Sequence, residues 1–455
     1  MNILRFVKSL GHPRHWLQDD LLRRLFKNAA VLFSGNVGAS LLGLASLAMT
    51  ARALGVENFG ILVLITTYVG IVDKLVNFQT WQAIIKYGAD ALEKESDEDF
   101  KSLLKFGFLM DCSTAVLGMI IAASAAWFVG HWRGWDQQLV IMATIYSSTI
   151  LFHIQGTPMA ILRLFDKFNK LAYQHVIASA IKLAGVTIAF FVGAGLWSFL
   201  IVWAMVDILG KLLLVCMAYN ELLLQKHHDF MHATTRNIGR KFSRIWGFVL
   251  TTNINSSIRM ASREVDIMII AALLSPAAVG LYKIAKQFSL VLQKTIDPLY
   301  QSIFPDLARL YAKGEVKEFV RFGLRSSLLA GLFALSVWFF FIFFGEIVIL
   351  LIFGEEYLKA VEVMLWYMMA IVVAAAAFPL QPAMLSMGRP HTTLGVHLAA
   401  TLIYFTALFF LLPSTGLLGA GISYLIYYIS WSAFMLAIEI FLISRRLTPS
   451  AAETN

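Results

Sequence analysis

Residues 259–297 read RMASREVDIMIIAALLSPAAVGLYKIAKQFSLVLQKTID. The stretch has the length and apolarity of two membrane-spanning helices joined by a tight turn. Yet it carries Arg259, Arg263, Glu264, Asp266, Lys283, Lys286, Lys294 and Asp297. An ionisable group at the bilayer centre costs about 2.5–3.5 kcal/mol even on insertion scales. Such a hairpin is expected to face a polar, protein-lined cavity rather than lipid. Arg259, Arg263 and Asp266 recur at i, i+4 and i+7, one face of a helix. Lys283, Lys286, Leu290, Lys294 and Asp297 share a face of the next helix, and Lys283 to Lys294 covers roughly 16 Å. Five bases stand against three acids. Internal pairing of residues three or four apart, such as Arg263 with Asp266, is the structural alternative. The surplus of bases favours an anionic ligand. Phosphate suits it, because Arg binds phosphate bidentately and Lys acts as a point charge.

Outward from the hairpin, the 455-residue chain is 59% hydrophobic and 14% charged, with mean hydropathy +0.72. Soluble domains carry about 25% charged residues. Twelve apolar segments are expected to span a membrane: 29–53, 60–84, 103–130, 137–162, 171–194, 197–219, 246–273, 279–303, 323–345, 361–387, 391–412 and 417–443. The predicted class is an all-α integral membrane protein with two pseudo-symmetric six-helix lobes around a central cavity. The expected division is 1–28 basic N-terminal segment, 29–219 first lobe, 220–245 cytoplasmic linker, 246–444 second lobe and 445–455 tail.

Net charge is +9, but its placement argues against nucleic acid. Twenty-six Lys and Arg fall in the termini and even-numbered loops, three in the odd-numbered loops, and eight inside expected spans. This positive-inside bias places both termini in the cytoplasm of an inner membrane. Cys112 and Cys216 each lie in an apolar span and read as packing residues. The first 28 residues contain no cleavable signal pattern; they read equally as an interfacial helix or an anchoring tail.

The acidic loop 86–105 lacks calcium-loop spacing and reads as a helical connector. His227, His228 and His232 have helical metal-ligand spacing, but a linker is the favoured reading. The second span holds Asp73-Lys74, and Lys74 is expected to reach the cavity. Lys182 and Lys211 are further candidates to add positive charge, balanced by Asp73, Asp111 and Asp207. No Walker motif, nucleophile triad or metal set stands out, so neither a cofactor nor enzymatic chemistry is expected. Landmarks recur at nearly one offset: Gly60 and Gly280 differ by 220, Pro158 and Pro382 by 224, Gly193 and Gly419 by 226. Such internal repeats are common in transporters, with the substrate site at the repeat interface.

Three motifs, ARALGVENFGIL at 51–62, VDIMIIAALLSPAAVGLYKIAKQF at 265–288 and FGEEYLKAVEVM at 353–364, carry a resemblance. In order and in register, they resemble signatures of the Wzx-type O-antigen and repeat-unit flippases. These belong to the multidrug/oligosaccharidyl-lipid/polysaccharide (MOP) superfamily. The resemblance covers nearly the whole chain. It implies a MATE-like fold and movement of an undecaprenyl-diphosphate-linked oligosaccharide from the cytoplasmic to the outer leaflet by alternating access. It further implies downstream polymerase or chain-length machinery as partners, beside membrane lipids. Asp266 matches the acid of the family's seventh-helix motif, although Ile267 stands where a base usually follows. Lys74 resembles a basic second-helix position of the lipid II flippases. The expected diphosphate ligands are Arg259, Arg263, Lys283, Lys286, Lys294 and Lys74. Asp266, Glu264 and Asp73 are candidates for coupling a proton or sodium ion. A multidrug cation antiporter of the same superfamily is one alternative; a membrane glycan polymerase or ligase is another.

Overall fold

The computed structural model describes residues 20–78, 80–133, 135–236 and 238–447. Within them, the side chains of 20–36, 129, 131–133, 255–263, 295–298, 301–302 and 445–447 are not described. The described chain is helical, with no strand. Its helices are α1 (Asp20–Val76), α2 (Thr80–Glu93), α3 (Asp97–Arg133), α4 (Gln137–Ser147), α5 (Gly156–Leu164), α6 (Phe168–Phe191), α7 (Leu196–Leu224), α8 (Ile245–Leu273), α9 (Pro276–Ala312), α10 (Val316–Ile352), α11 (Ala360–Ala376), α12 (Leu380–Ser386), α13 (Pro390–Thr415) and α14 (Leu418–Leu447). Three short 3₁₀ turns and the single turn Ile238–Lys241 lie between them.

Twelve membrane crossings follow from these helices. Among the described residues nine stretches meet the length and hydropathy of a span. The first of these, Val37–Glu93, holds two crossings, because Gly55 breaks α1 at φ 69°. The charged helices α8 and α9 supply the remaining two. They have 29 and 37 residues, ample for a bilayer about 30 Å thick at 1.5 Å per residue. The protein is therefore an all-α, multi-pass membrane protein. Two expectations about span limits change. The second crossing does not run to residue 84; it ends at Val76, and α2 restarts at Thr80. Asn77 turns its amide across to the carbonyl of His153 at 3.1 Å, while Thr80 donates to Asp111. The eighth and ninth crossings are also longer than their apolar parts, since hydropathy registers only the segment that lipid surrounds.

Contacts divide the described chain into two units. One joins the residues up to Ala53 with Ile65–Ala261; the other joins Leu54–Leu64 with Ser262 onward. The division thus falls inside α8. Its first half belongs with the first unit because Val249 and Ile245 are buried there with Phe242, Phe230 and Leu104. Phe106 meets Trp246 edge-on at 5.1 Å. The 220–245 segment is fastened down by the same cluster and by ion pairs: Lys101 with Asp229 at 2.6 Å and Lys241 with Asp99 at 2.8 Å. Lys101 holds the Asp229 carboxyl below its ordinary range through that hydrogen bond. His227 bonds Asp97 and packs on Phe100 and Phe165.

The three family-like motifs converge in the second unit. A Cβ on Gly60 would lie 1.8 Å from the Pro276 carbonyl oxygen; one on Gly280 would lie 2.6 Å from that of Val56. The offset of 220 pairs Val56 with Pro276 and Gly60 with Gly280, so the contact is reciprocal, as across a two-fold axis. Small residues allow this backbone approach between helices in lipid. Glu356 lies against Gly55, and Phe59 meets Tyr357 edge-on at 6.1 Å. These signature residues are packing elements. The turn before α9 is capped by Ser275, whose hydroxyl accepts from the Ala278 N–H, with Pro276 in the first helical turn.

Candidate functional site

The second unit buries Asp266 at the centre of a polar network. Its Oδ2 lies 2.5 Å from Lys286 Nζ and accepts from the hydroxyls of Tyr282 and Tyr404. Its Oδ1 accepts the Ile267 N–H at 2.8 Å. Tyr282 also bonds Tyr367, which stacks on Tyr424 with centroids 4.3 Å apart. Tyr424, Tyr427 and Tyr428 continue the aromatic series to His397, whose Nδ1 lies 3.2 Å from the Tyr427 hydroxyl. The chain folds this way locally because Tyr282 and Lys286 are four residues apart on α9 and present one face. Three spans, α8, α9 and α13, thereby meet at one carboxylate, and α11 joins them through Tyr367.

The expected anion-binding residues divide. Lys286 is committed to Asp266 by the ion pair. Lys283 is half-buried, Lys294 is exposed, and Glu264 is half-buried. The side chains of Arg259, Arg263 and Asp297 lie outside the described residues. Lys74 is exposed on α1, while neighbouring Asp73 is buried.

Asp73 belongs to a second polar centre, in the first unit. There the fourth crossing is broken: a 3₁₀ turn over Ser148–Phe152 ends, and α5 begins at Gly156. His153 and Gln155 sit in the break. Irregular backbone is tolerated at membrane depth only where protein or water satisfies it. Here Asn77 donates to the His153 carbonyl, and the Asp111 carboxylate accepts the Thr157 N–H at 2.7 Å. Thr80 donates to the same carboxylate at 2.5 Å. A Cβ on Gly156 would lie 2.0 Å from the Thr80 hydroxyl, so glycine is required there. The side chains in the break have charged partners. His153 Nε2 lies 2.8 Å from Asp207 Oδ2, and Nδ1 lies 3.0 Å from Asp73 Oδ2. Lys211 donates to Gln155 at 2.5 Å, and Lys182 lies 3.3 Å from the centre of the Trp203 ring.

The sequence pointed to Asp73 but not to its partner. A lone His in an apolar run looks like a packed core residue, and nothing in the spacing links 73, 153 and 207. The tyrosines around Asp266 were equally silent, because an aromatic in a span reads as lipid-facing or core. The proline of the fourth span, Pro158, was the available signal: a break inside an apolar segment marks the position where polar groups gather in transporters.

A family model described as "Polysaccharide biosynthesis protein" matches residues 25–311, well over half of the chain. The inner membrane protein YghQ of Escherichia coli (strain K12) is 29% identical over 349 residues, covering 77% of this chain and 98% of that protein. An inward-facing multidrug resistance MATE transporter of the MOP superfamily superposes with TM-score 0.73 at 15% identity, over 91% of this chain and 96% of that one. The lipid II flippase MurJ in an inward closed conformation superposes with TM-score 0.63 at 12% identity, over 92% and 91%. These likenesses establish the MOP fold, with its twelve helices in two six-helix lobes.

Proposed function

The chain belongs to the polysaccharide biosynthesis protein family, and from that premise we propose that it is a flippase for a lipid-linked oligosaccharide. The substrate is a glycan carried on undecaprenyl diphosphate, moved from the cytoplasmic to the outer leaflet by alternating access for cell-surface polysaccharide assembly. The protein sits in the inner membrane with both termini cytoplasmic. The observation that carries this reading is the cationic character of α8 and α9 within the bilayer. Even with Lys286 committed to Asp266, bases outnumber acids along these two helices. A dianionic headgroup is the ligand such helices favour. Lys283 and Lys294 on α9, Arg259 and Arg263 on α8, and Lys74 on α1 are its proposed contacts, while the polyprenyl tail stays in lipid. The polymerase that lengthens the glycan acts after it.

The test is depletion of the protein followed by analysis of undecaprenyl-linked intermediates. Accumulation of a complete repeat unit on the cytoplasmic leaflet is expected. Exchanging Lys283 and Lys294 together for Gln is expected to stop surface-polysaccharide export at normal protein abundance; normal export in that variant defeats the cationic-cavity reading. Altered drug susceptibility without any glycan phenotype points instead to a multidrug exporter.

A further inference from the structure

The segment between α7 and α8 carries bases that the rest of the chain does not neutralise. We propose that it is a docking surface for anionic phospholipid headgroups, held to the membrane by Lys226, Arg236, Arg240 and Arg244. The inference rests on the membrane fold and is independent of the flippase reading.

The charge count comes first. Residues 221–247 hold five Lys or Arg and two acids. Both acids are engaged within the protein, Glu221 by Lys170 at 2.7 Å and Asp229 by Lys101 at 2.6 Å. Of the bases, Lys241 is taken by Asp99 at 2.8 Å. Lys226, Arg236, Arg240 and Arg244 are exposed and form no ion pair among the described residues. The acids at the start of α3, Asp97, Glu98 and Asp99, face Lys101, His227 and Lys241 instead. Exposed Asp90, Glu93 and Glu95 stand at and just past the end of α2 and pair with none of the four.

Packing turns these bases outward. Phe230, Ile238 and Phe242 are buried against the first unit. Lys105 donates to the Ala233 carbonyl at 2.9 Å, and the Tyr87 hydroxyl donates to that of Ser243 at 3.1 Å. One face of the segment is thus sealed to protein, and the residues between these anchors carry the charge on the other.

The ends of the segment fix its depth. Leu224, the last residue of α7, is 67% exposed, and Trp246, in the first turn of α8, is 49% exposed. Large apolar side chains left exposed at the ends of spanning helices are favourably placed in lipid. Lys226 follows Leu224 by two residues and Arg244 precedes Trp246 by two, at most roughly 7 Å of chain. Both bases therefore stand at headgroup level rather than in bulk water. Tryptophan is the residue enriched at that level. The Trp246 indole also lies against Gly239, where an added Cβ would meet it at 3.6 Å, so the turn bearing Arg240 is held at the same depth. Met231 is exposed midway along the segment.

This combination selects the partner. A nucleic acid or an acidic protein would account for the bases but leave Leu224, Met231 and Trp246 in water. A membrane surface takes both, as it does for amphipathic segments with bases on one side and Trp or Leu on the other. The headgroups must be anionic, because each base beside the membrane gains its attraction from negative lipid charge.

The test is hydrogen exchange of the full-length protein in nanodiscs of phosphatidylcholine, with and without phosphatidylglycerol. Phosphatidylglycerol is expected to slow exchange across 226–247 by about tenfold or more, and high salt is expected to reverse the effect. The variant carrying Lys226→Gln, Arg236→Gln, Arg240→Gln and Arg244→Gln is expected to exchange alike in both lipids. The pair Arg240→Gln and Arg244→Gln, with a partial loss, serves where the fourfold variant fails to fold. Replacing the three arginines by lysine keeps the charge and should keep the protection. Equal exchange of the unaltered protein in the two lipids overturns the proposal and leaves the bases to an acidic protein partner. Protection that survives in the glutamine variants overturns it too. So does equal protection by glycerol 3-phosphate added to phosphatidylcholine nanodiscs, which would mark a soluble-anion site. A depletion strain without any glycan phenotype defeats the flippase reading and leaves these outcomes unchanged.

Discussion

The two units each bury a carboxylate and a base in the bilayer, but they solve the same electrostatic problem differently. Asp266 is met by the ammonium of Lys286 and by tyrosine hydroxyls. Asp73 and Asp207 share one histidine, whose charge is conditional. The first arrangement is an ion pair between α8 and α9. The second is one imidazole between two carboxylates. The difference is sharper because the glycine and proline landmarks recur between the two halves of the sequence and the charged centres do not. At the offset of 224 that superposes Pro158 on Pro382, His153 falls on Ala377 and Gln155 on Pro379. At the offset of 220, Asp266, Tyr282 and Lys286 fall on Ser46, Leu62 and Thr66.

This contrast is open to direct attack. The largest effect is expected from Lys286→Met, which strands Asp266 in a buried site. Removing one partner of a buried pair costs about 3–5 kcal/mol, so thermal unfolding in detergent should fall by many degrees. Adding Asp266→Asn to that variant should recover much of the loss, because the uncompensated charge is gone. A double variant as unstable as the single one would mean that the tyrosine network, not the charge pair, holds α8 to α9.

Next in size is Gly156→Ala. The added methyl meets Thr80 and Asp111, and overpacking of this kind costs about 1–3 kcal/mol. Gly193→Ala, with open space around the added atom but φ 66°, provides a control in which strain acts without a clash. If both lose stability equally, the cap on α5 is not what demands glycine.

His153→Gln tests the other side of the contrast. It should lower stability by about 1–3 kcal/mol where the histidine is charged, the loss of a hydrogen-bonded charge. An unchanged melting temperature would mean that neither carboxylate contact of His153 holds the break in place.

The smallest effect belongs to the surface pair of half-buried Lys101 with exposed Asp229. Lys101 lowers the Asp229 carboxyl in the folded chain. Its contribution is therefore present above the ordinary carboxylate range and lost as the pH falls through the lowered value. Lys101→Met should produce a slight fall in melting temperature that added salt abolishes.

Much of the fold was legible in the sequence. Twelve apolar segments gave twelve crossings, including α8 and α9, which their charges make too polar for a simple hydropathy criterion. The glycine and proline landmarks fall at notable places: Gly60 packs against Gly280, and Pro158 and Pro382 each lie in the short helix after a break. Less of the site was legible. The face of α9 that bears Lys283, Lys286 and Lys294 was visible from spacing, but the commitment of Lys286 to Asp266 was not. Segment limits also slipped wherever a helix outran its apolar part or stopped to serve a neighbour, as at Asn77.

What the sequence determined by itself is what the bilayer demands of every segment separately. A span must be long, apolar and internally hydrogen-bonded, and loops carry the positive bias, so number and type of elements follow from local composition. What only the tertiary structure decided is which charge meets which. Asp266 and Tyr404 are 138 residues apart, and Asn77 and Asn253 are 176 apart. No periodicity reaches across such distances. In a low-dielectric interior a buried charge is tolerable only beside its partner. The pairing is therefore set by packing of distant spans, and with it the division between a lysine–carboxylate pair in one unit and a shared histidine in the other.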